Sequence, residues 1–532
     1  MSWYENAVFY HIYPLGLTGA PTQNAYAEPV CRLDTLRPWA EHLASLGCTA
    51  LYIGPLFESV GHGYETTDYR RLDSRLGTNG DLKAFVAFCH SLGVRVIFDA
   101  VFNHTGRDFF AIRDLREKRE ASAYRDWYRG VNFRGDNSYH DGFTYETWGG
   151  YELLAKLNLQ NPAVVGYLMD TVRFWVEEFD VDGLRLDAAD VLDFDFLKAL
   201  RRLADGVKPE FWLMGEVIHG DYTRWVNDGM LHSVTNYRLH KALFSSHNDG
   251  NYFELAHTVE QLGTLCGRLY SFVDNHDVER IQTRLRCKAN YLPVHVLLFA
   301  LPGIPSIYYG SEFAVEGRKE AYSDASLRPA LRLEDFDGEP HAGIIRALAK
   351  ARASEPALRS GSYEKLLLTT TNYAFARRLG DREALAAVNN SGSPAVLSVP
   401  ARLGVYRSAL HGNRFYNDNG QIRVELPPCG AELLLPDDGG AAQDPAPIPE
   451  PAEWKAALEE AARTRPEPEP IPADVPAAPP ADKPIDELSV PELQALILQK
   501  LAANGPVTDR MRREVADNVY LNSLRNWAKS FR

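Results

Sequence analysis

The chain has 532 residues, 45% of them hydrophobic and 24% charged, with a formal charge of -14 at neutral pH. That length exceeds one ordinary compact domain, so two or three are expected, and the composition is globular. The acidic balance excludes a non-specific binder of nucleic acid or of an acidic membrane surface, which would need basic patches, and is compatible with a neutral ligand.

Short apolar strands recur from the N-terminus: "AVFYHIYP" (7–14), "ALYIGPLF" (50–57), "VRVIFDAVF" (94–102), "VDGLRLDAA" (181–189), "FWLMGEVI" (211–218), "HSVTNY" (232–237), "RLYSFVDNH" (268–276) and "IPSIYYGSEF" (304–313). Amphipathic helical patterns such as "LRPWAEHLASLG" and "NGDLKAFVAFCHSLG" lie between several of them. Eight strands alternating with helices predict an α/β fold, a (β/α)8 TIM barrel over 1–103 and 156–362. The wide gap after the third strand, 104–155, is rich in aromatics, glycine and charge and reads as a small excursion domain over the barrel mouth.

From 363 to 436 the pattern changes to short alternating strands with turn residues between them, the signature of a C-terminal antiparallel β-sandwich. Five strands are expected there: "YEKLLLTT", "YAFARRLG", "EALAAVNNS", "AVLSVP" and "AELLLP". Residues 437–485 form a proline, alanine and acid tract, a linker composition that favours extended, solvated chain. A helical tail module is expected over 486–532, with Ser489 and Pro491 starting its first helix, Gly505 stopping it, and a second helix following. That module is a candidate for docking a protein partner or a second copy of the chain.

Six cysteines (Cys31, Cys48, Cys89, Cys266, Cys287 and Cys429) lack the spacing of a metal site, and their mostly apolar neighbours predict buried free thiols in a reducing compartment. No basic, apolar leader opens the sequence and no apolar run reaches membrane-spanning length, so a cytoplasmic protein with no membrane contact is expected.

The stretch "VDGLRLDAAD" (181–190) raises a question of its own. Period-two alternation puts Arg185 and Asp187 on one face of a buried strand and Leu184 and Leu186 on the other. Buried charges have to be paired or employed. A structural ion pair would account for this strand alone. Asp187, Glu216 and Asp277, however, each fall at or just beyond the C-terminal end of a predicted strand, as do His104 and His276. In a (β/α)8 barrel those ends converge on the active-site mouth. Asp99 and Asn103 read as structural supports of a strand end.

Four short motifs, "DAVFNHT" (99–105), "GLRLDAA" (183–189), "GEV" (215–217) and "FVDNHD" (272–277), resemble those of the α-amylase family, glycoside hydrolase family 13, in order and in strand placement. The resemblance extends to "YHIYP", "GYETTDY", "LNLQNPAV" and "PGIPSIYYGSEF", spans roughly 1–436, and looks closest to intracellular cyclomaltodextrinase and neopullulanase-like enzymes. It implies Asp187 as nucleophile, Glu216 as general acid/base and Asp277 as the group that distorts the sugar and stabilises an oxocarbenium-like transition state. It further implies substrate contacts from Tyr64, His104, Arg185 and His276, and from the pair Asp324 and Arg328 one sugar outward. A retaining hydrolase needs one ionised and one protonated carboxyl close together, and a fixed cation at Arg185 would keep Asp187 ionised.

The chain departs from the family after the second motif. Many secreted α-amylases carry Lys-His there and neopullulanase-like enzymes often Asn-Glu, where this chain has Ala189, Asp190 and Val191. Neither a metal ion nor a cofactor is therefore expected. Ala188 stands where α-1,6-specific relatives tend to carry valine, which favours α-1,4 bonds. The expected activity is retaining hydrolysis of α-1,4-glucosidic bonds in maltodextrins, and in cyclodextrins, through a covalent glycosyl-enzyme. A 4-α-glucanotransferase or sugar isomerase on the same scaffold is the alternative. A non-catalytic member, like the family's transporter-associated subunits, would lack the full acid set.

Overall fold

The computed structural model describes residues 2–321, 323–437, 456 and 489–503. All eight predicted barrel strands form: β1 (Phe9–Ile12), β2 (Ala50–Ile53), β3 (Arg95–Ala100), β4 (Gly183–Leu186), β5 (Trp212–Gly215), β6 (Ser233–Val234), β7 (Tyr270–Phe272) and β8 (Ile304–Tyr308). Their order is β6-β5-β4-β3-β2-β1-β8-β7, parallel at every pairing. A parallel bridge from Thr235 to Tyr270, with the Asn236 amide donating to the Tyr270 carbonyl at 2.8 Å, closes the ring. This is the (β/α)8 barrel.

Alternation along these strands builds the interior in two storeys. Phe9, Tyr52, Ile97, Trp212, Met214 and Tyr270 fill an apolar lower layer. Two residues further along their strands the same inward face carries Asp99 above Ile97 and Glu216 above Met214, and on β4 it carries Arg185, with Asp187 just past the strand end. Leu184 and Leu186 point the other way, into the shell of helices, and are fully buried. Each stabilises the fold by about 2 kcal/mol on burial.

The helices that cover the barrel include α1 (Arg37–Leu46), α2 (Asn79–Ser91), α3 (Pro162–Phe179) and α4 (Phe194–Val207). Gly47, at φ 91°, ends α1 in the left-handed conformation that glycine adopts without strain. Between β3 and α3 the excursion carries a helix, Phe110–Lys118, and an antiparallel pairing of His104–Thr105 with Lys156 and Ala155. Its loops are pinned where Arg107 is held by Asp141 at 2.9 Å and lies 3.7 Å over the Tyr139 ring.

The sandwich holds eight strands rather than five. β9 (Ser362–Leu368), β10 (Asn372–Leu379), β11 (Arg382–Asn389), β12 (Ala395–Pro400) and β16 (Ala431–Pro436) match expectation, while β13 (Val405–Ser408), β14 (Arg414–Tyr416) and β15 (Gln421–Leu426) are additional. Six form one sheet, β9-β10-β11-β16-β13-β14, and β12 pairs with β15 against it. Ala374, Leu385, Leu397, Val399, Ile422 and Val424 fill the space between the two sheets. Tyr373, Phe375 and Val388, on the opposite face of the larger sheet, belong to the core of the barrel's helical shell.

Two buried arginines meet at this junction, one from the barrel and one from the sandwich. Arg352, in the barrel's last helix, donates to the carbonyls of Phe299 and Gly303, at 3.1 and 2.6 Å, and Arg377 of β10 donates to Ala300 at 2.8 Å. Both guanidiniums thus satisfy carbonyls at and just beyond the C-terminal end of α5 (Tyr291–Ala300), where helix carbonyls lack partners and cations are favoured.

In the tail, Val490–Ala503 forms a helix. Ser489 starts it as expected, its amide and hydroxyl both 2.7 Å from the Glu492 carboxylate. The expected stop at Gly505, the second tail helix and the 438–485 linker (residue 456 apart) lie outside the described residues. No helix among the described residues is long and apolar enough to cross a membrane.

Candidate active site

Register places Asp99 of β3 beside Arg185 of β4, and Arg185 beside Met214 of β5. A Cβ on Gly54, just past β2, would collide with the Asp99 side chain, so this glycine makes room for the acid. The Arg185 guanidinium, 3% exposed, holds three carboxylates. Its Nη1 lies 2.9 Å from Asp99 Oδ1 and 2.9 Å from Asp187 Oδ1, and its Nη2 lies 2.9 Å from Glu216 Oε2. The question raised by residues 181–190 is answered here: Arg185 and Asp187 do pair, within a cluster that also takes in Asp99 and Glu216.

Three carboxyls around one guanidinium carry more negative charge than it neutralises. The expectation that Arg185 would keep Asp187 ionised is corrected here: burial, together with Glu216 and Asp99, outweighs the pull of Arg185 and raises the Asp187 carboxyl well above the ordinary carboxylate range. Asp99 is fixed by Tyr52 and Tyr64, whose hydroxyls donate to its Oδ2 at 2.9 and 3.1 Å. Glu216 takes a further hydrogen bond from the Ala188 amide at 3.1 Å, and the Tyr237 hydroxyl lies 3.4 Å from its other oxygen.

Asp277 approaches from the opposite side, beyond β7. His276 Nε2 is 3.0 Å from its Oδ2 and Arg328 Nη2 is 2.9 Å from its Oδ1. Burial acts to raise this carboxyl, but His276, Arg328 and Arg185 outweigh it and hold it well below the ordinary range. Arg328 also pairs with Asp324 at 3.1 Å, donates to the His276 carbonyl at 3.0 Å and lies 4.7 Å over the Tyr13 ring. The His276 ring stacks between Tyr64 and Tyr13, with centroids 5.7 and 5.9 Å away, and hydrogen-bonds the Tyr64 hydroxyl.

Eight of the nine site residues chosen from the sequence thus fall into one connected set: Asp187, Glu216, Asp277, Tyr64, Arg185, His276, Asp324 and Arg328. His104 adjoins it differently. Its Nε2 donates to the Tyr64 carbonyl at 3.1 Å and its Nδ1 faces the Asn103 amide at 3.1 Å, so both ring nitrogens are engaged. Burial holds this imidazole neutral, its pKa brought down to about 3.

Sequence reasoning assigned no role to Tyr13, Tyr237 or Asp190. Tyr13 and Tyr237 stand at or just beyond strand ends, the signal that identified the acids. Asp190 opens onto the solvent, yet the surrounding walls and the nearby Glu216 push its carboxyl up to about 7. Among the described residues no group of three or more His, Cys, Asp or Glu side chains could hold a metal ion.

A parallel eight-stranded barrel with acids from three strand ends gathered at its mouth is the arrangement a glycoside hydrolase uses. The model of the alpha amylase catalytic domain matches residues 39–341. The chain belongs to the alpha-amylase family and is an α-glucan hydrolase. It is 31% identical to neopullulanase 2 of Thermoactinomyces vulgaris over 410 residues, 74% of this chain and 68% of that one. With the cyclomaltodextrinase of Geobacillus thermopakistaniensis (strain MAS1) it shares 28% identity over 467 residues, 81% of this chain and 77% of the other. Among solved structures, Ttha1563 from Thermus thermophilus superimposes with a TM-score of 0.71 at 30% identity, covering 82% of this chain and all of that one.

Proposed function

We propose that the protein cleaves α-1,4-glucosidic bonds of maltodextrins and cyclodextrins with retention of configuration, Asp187 serving as nucleophile and Glu216 as acid/base. The observation that carries this reading is the sharing of Arg185. Two carboxylates held on the two nitrogens of one guanidinium are neighbours, which supports a retaining mechanism that needs its two carboxyls close together.

In the first step Glu216 gives its proton to the glycosidic oxygen, the C1–O bond breaks, and Asp187 forms an ester to C1. Negative charge leaves Asp187 and appears on Glu216, both in contact with the same cation. Arg185 therefore faces one negative charge from this pair before and after the step, without moving. In the second step water enters, Glu216 takes its proton, and attack at C1 frees Asp187 and an α-configured sugar. Asp277, kept ionised by His276 and Arg328, stabilises positive charge on the ring. Tyr64 offers a stacking face, and Arg328 with Asp324 grips the next sugar. His104 acts by bracing the Tyr64 loop.

Products from maltotriose, cyclodextrin and pullulan, followed by NMR at the new reducing end, test the reading. The expected result is maltose and glucose from maltotriose, released as the α anomer. Release of the β anomer overturns it. Accumulation of oligomers longer than maltotriose would instead indicate a glucanotransferase.

Six free thiols support a cytoplasmic location. Docking of a protein partner or a second copy through 486–532 is the role proposed for the tail. A chain ending at 436 should keep its turnover on maltotriose while losing that interaction, and loss of most of the turnover would contradict this division.

A further inference from the structure

Cys287 and Cys429 belong to different parts of the fold and face each other. Cys287 ends the loop that leaves β7 past His276 and Asp277, immediately before the turn Lys288–Asn290 that runs into α5. Cys429 lies in the turn between β15 and β16 of the sandwich. Their Sγ atoms are 3.6 Å apart and no disulfide joins them. The chain near each is held: the Asn290 side-chain amide donates to Asn390 Oδ1 at 3.0 Å, and the Cys429 backbone amide donates to the Ser391 carbonyl at 3.1 Å. A disulfide of about 2.0 Å would need an approach of only about 1.6 Å.

The environment separates Cys287 from the other five cysteines, Cys429 included, whose buried thiol is pushed up as it hydrogen-bonds Cys287. Cys48, Cys89 and Cys266 are buried, and burial pushes their thiols up. Cys31 is exposed, yet its thiol is also pushed up, to about 11, by local desolvation and neighbouring aspartates. Cys287 is partly exposed and goes the other way, down to about 7. The Cys429 thiol hydrogen-bonds its sulfur, and the backbone amides of Ala289 and Asn290 reinforce that against partial burial. Thiolate character and access coincide at this one cysteine.

We infer that Cys287 is a modification site for low-molecular-weight disulfides and that Cys429 resolves the adduct into a disulfide joining barrel to sandwich. Cys287, its proton released to solvent, attacks one sulfur of the small disulfide RSSR. A Cys287–SR bond forms, the S–S bond of RSSR breaks, and RS⁻ leaves to be protonated. Cys429 then loses its proton and attacks the Cys287 sulfur, and the second RS⁻ departs and is protonated. Two protein thiols are oxidised by two electrons and one small disulfide is reduced to two thiols. Excess small thiol reverses both steps. The new bond closes a loop between positions 142 residues apart, so it restricts the unfolded chain strongly.

The test exposes the full-length protein to oxidised glutathione at pH 7.5, blocks remaining thiols by alkylation, and maps peptides without reduction. The expected map joins the Cys287 and Cys429 peptides and leaves the other four cysteines alkylated, and the thermal midpoint rises by about 3–5 °C over that of the reduced protein. In Cys429→Ser the reaction should stop at a Cys287–glutathione adduct, and in Cys287→Ser Cys429 should stay unmodified. Modification of Cys31 ahead of Cys287 overturns the inference. So does a wild-type map in which glutathione persists on Cys287 without the cross-link. The wild-type map needs no substitution, so a variant that fails to fold leaves the test standing.

Discussion

The Ala188 amide donates to Glu216 Oε2 at 3.1 Å from a backbone at φ 48°, a left-handed conformation that an alanine adopts only under strain. The strained residue directly follows Asp187. Its conformation turns the chain sharply off β4, so that one residue aims a carboxylate into the cleft and the next aims an N–H at the neighbouring acid.

Asp187→Asn should separate activity from stability. Turnover on maltotriose falls by about 10⁴-fold or more, because an amide forms no glycosyl ester. The fold should gain. A carboxyl whose pKa is raised in the folded state favours folding at low pH and loses that contribution as pH climbs through the raised value. At neutral pH the raised carboxyl therefore opposes the fold, and an asparagine removes the penalty, worth about 1 kcal/mol. Urea unfolding at pH 7 checks this, and a lower midpoint for the variant would contradict it.

Glu216→Gln should lose far less activity on a glucosyl fluoride than on maltodextrin, since fluoride departs without help from an acid. Steady-state rates on the two substrates give the comparison. Equal losses on both would assign leaving-group protonation to another residue.

Asp190→Asn should change the alkaline limb of the kcat/KM profile. The Asp190 carboxyl, pushed up to about 7 by its desolvating surroundings and the nearby Glu216, changes charge across neutral pH beside the site. Without that titration the limb loses its inflection near pH 7. An unchanged limb would show that Asp190 does not sense the acid/base.

Arg185→Met should destabilise the protein by about 3–5 kcal/mol, because three buried carboxylates lose their shared cation. The variant should recover part of that stability as pH falls and Asp187, whose carboxyl is already raised, protonates. Urea midpoints at two pH values test both statements, and a loss under about 1 kcal/mol would mean the cluster is held by its tyrosines and amides instead.

Chelation should change activity little, the Lys-His of secreted relatives being replaced by Asp190 and Val191. A large loss restored by calcium would reveal ligands supplied from elsewhere in the chain.

Where the sequence carried a period, it could be read. The eight barrel strands are short apolar runs bounded by turn residues, and the acids announce themselves by following them. Three sandwich strands were missed for different reasons. β13 and β14 are four and three residues long, too short to show a pattern. β15 did carry one: Ile422, Val424 and Leu426 alternate inward with Arg423 and Glu425 outward, but the flanking "NDNG" and the charges masked it. The hydrogen bond from His104 to the Tyr64 carbonyl was beyond sequence, because its partner lies forty residues away. Asp190 was noticed only as a departure from a motif. Its raised pKa comes from walls and a neighbour that the chain assembles only on folding.

The two arginines at the end of α5 bear on how this enzyme can be taken apart. Arg377 reaches it from the sandwich, Arg352 from the barrel, and neither finds a carboxylate there, only main-chain oxygens. A chain cut before β9 would strip the Ala300 carbonyl of its donor and bare the apolar barrel surface that Tyr373 and Phe375 cover. For anyone shuffling parts between hydrolases, residues 363–436 are not a detachable cassette. They travel with the barrel, as a keystone travels with its arch.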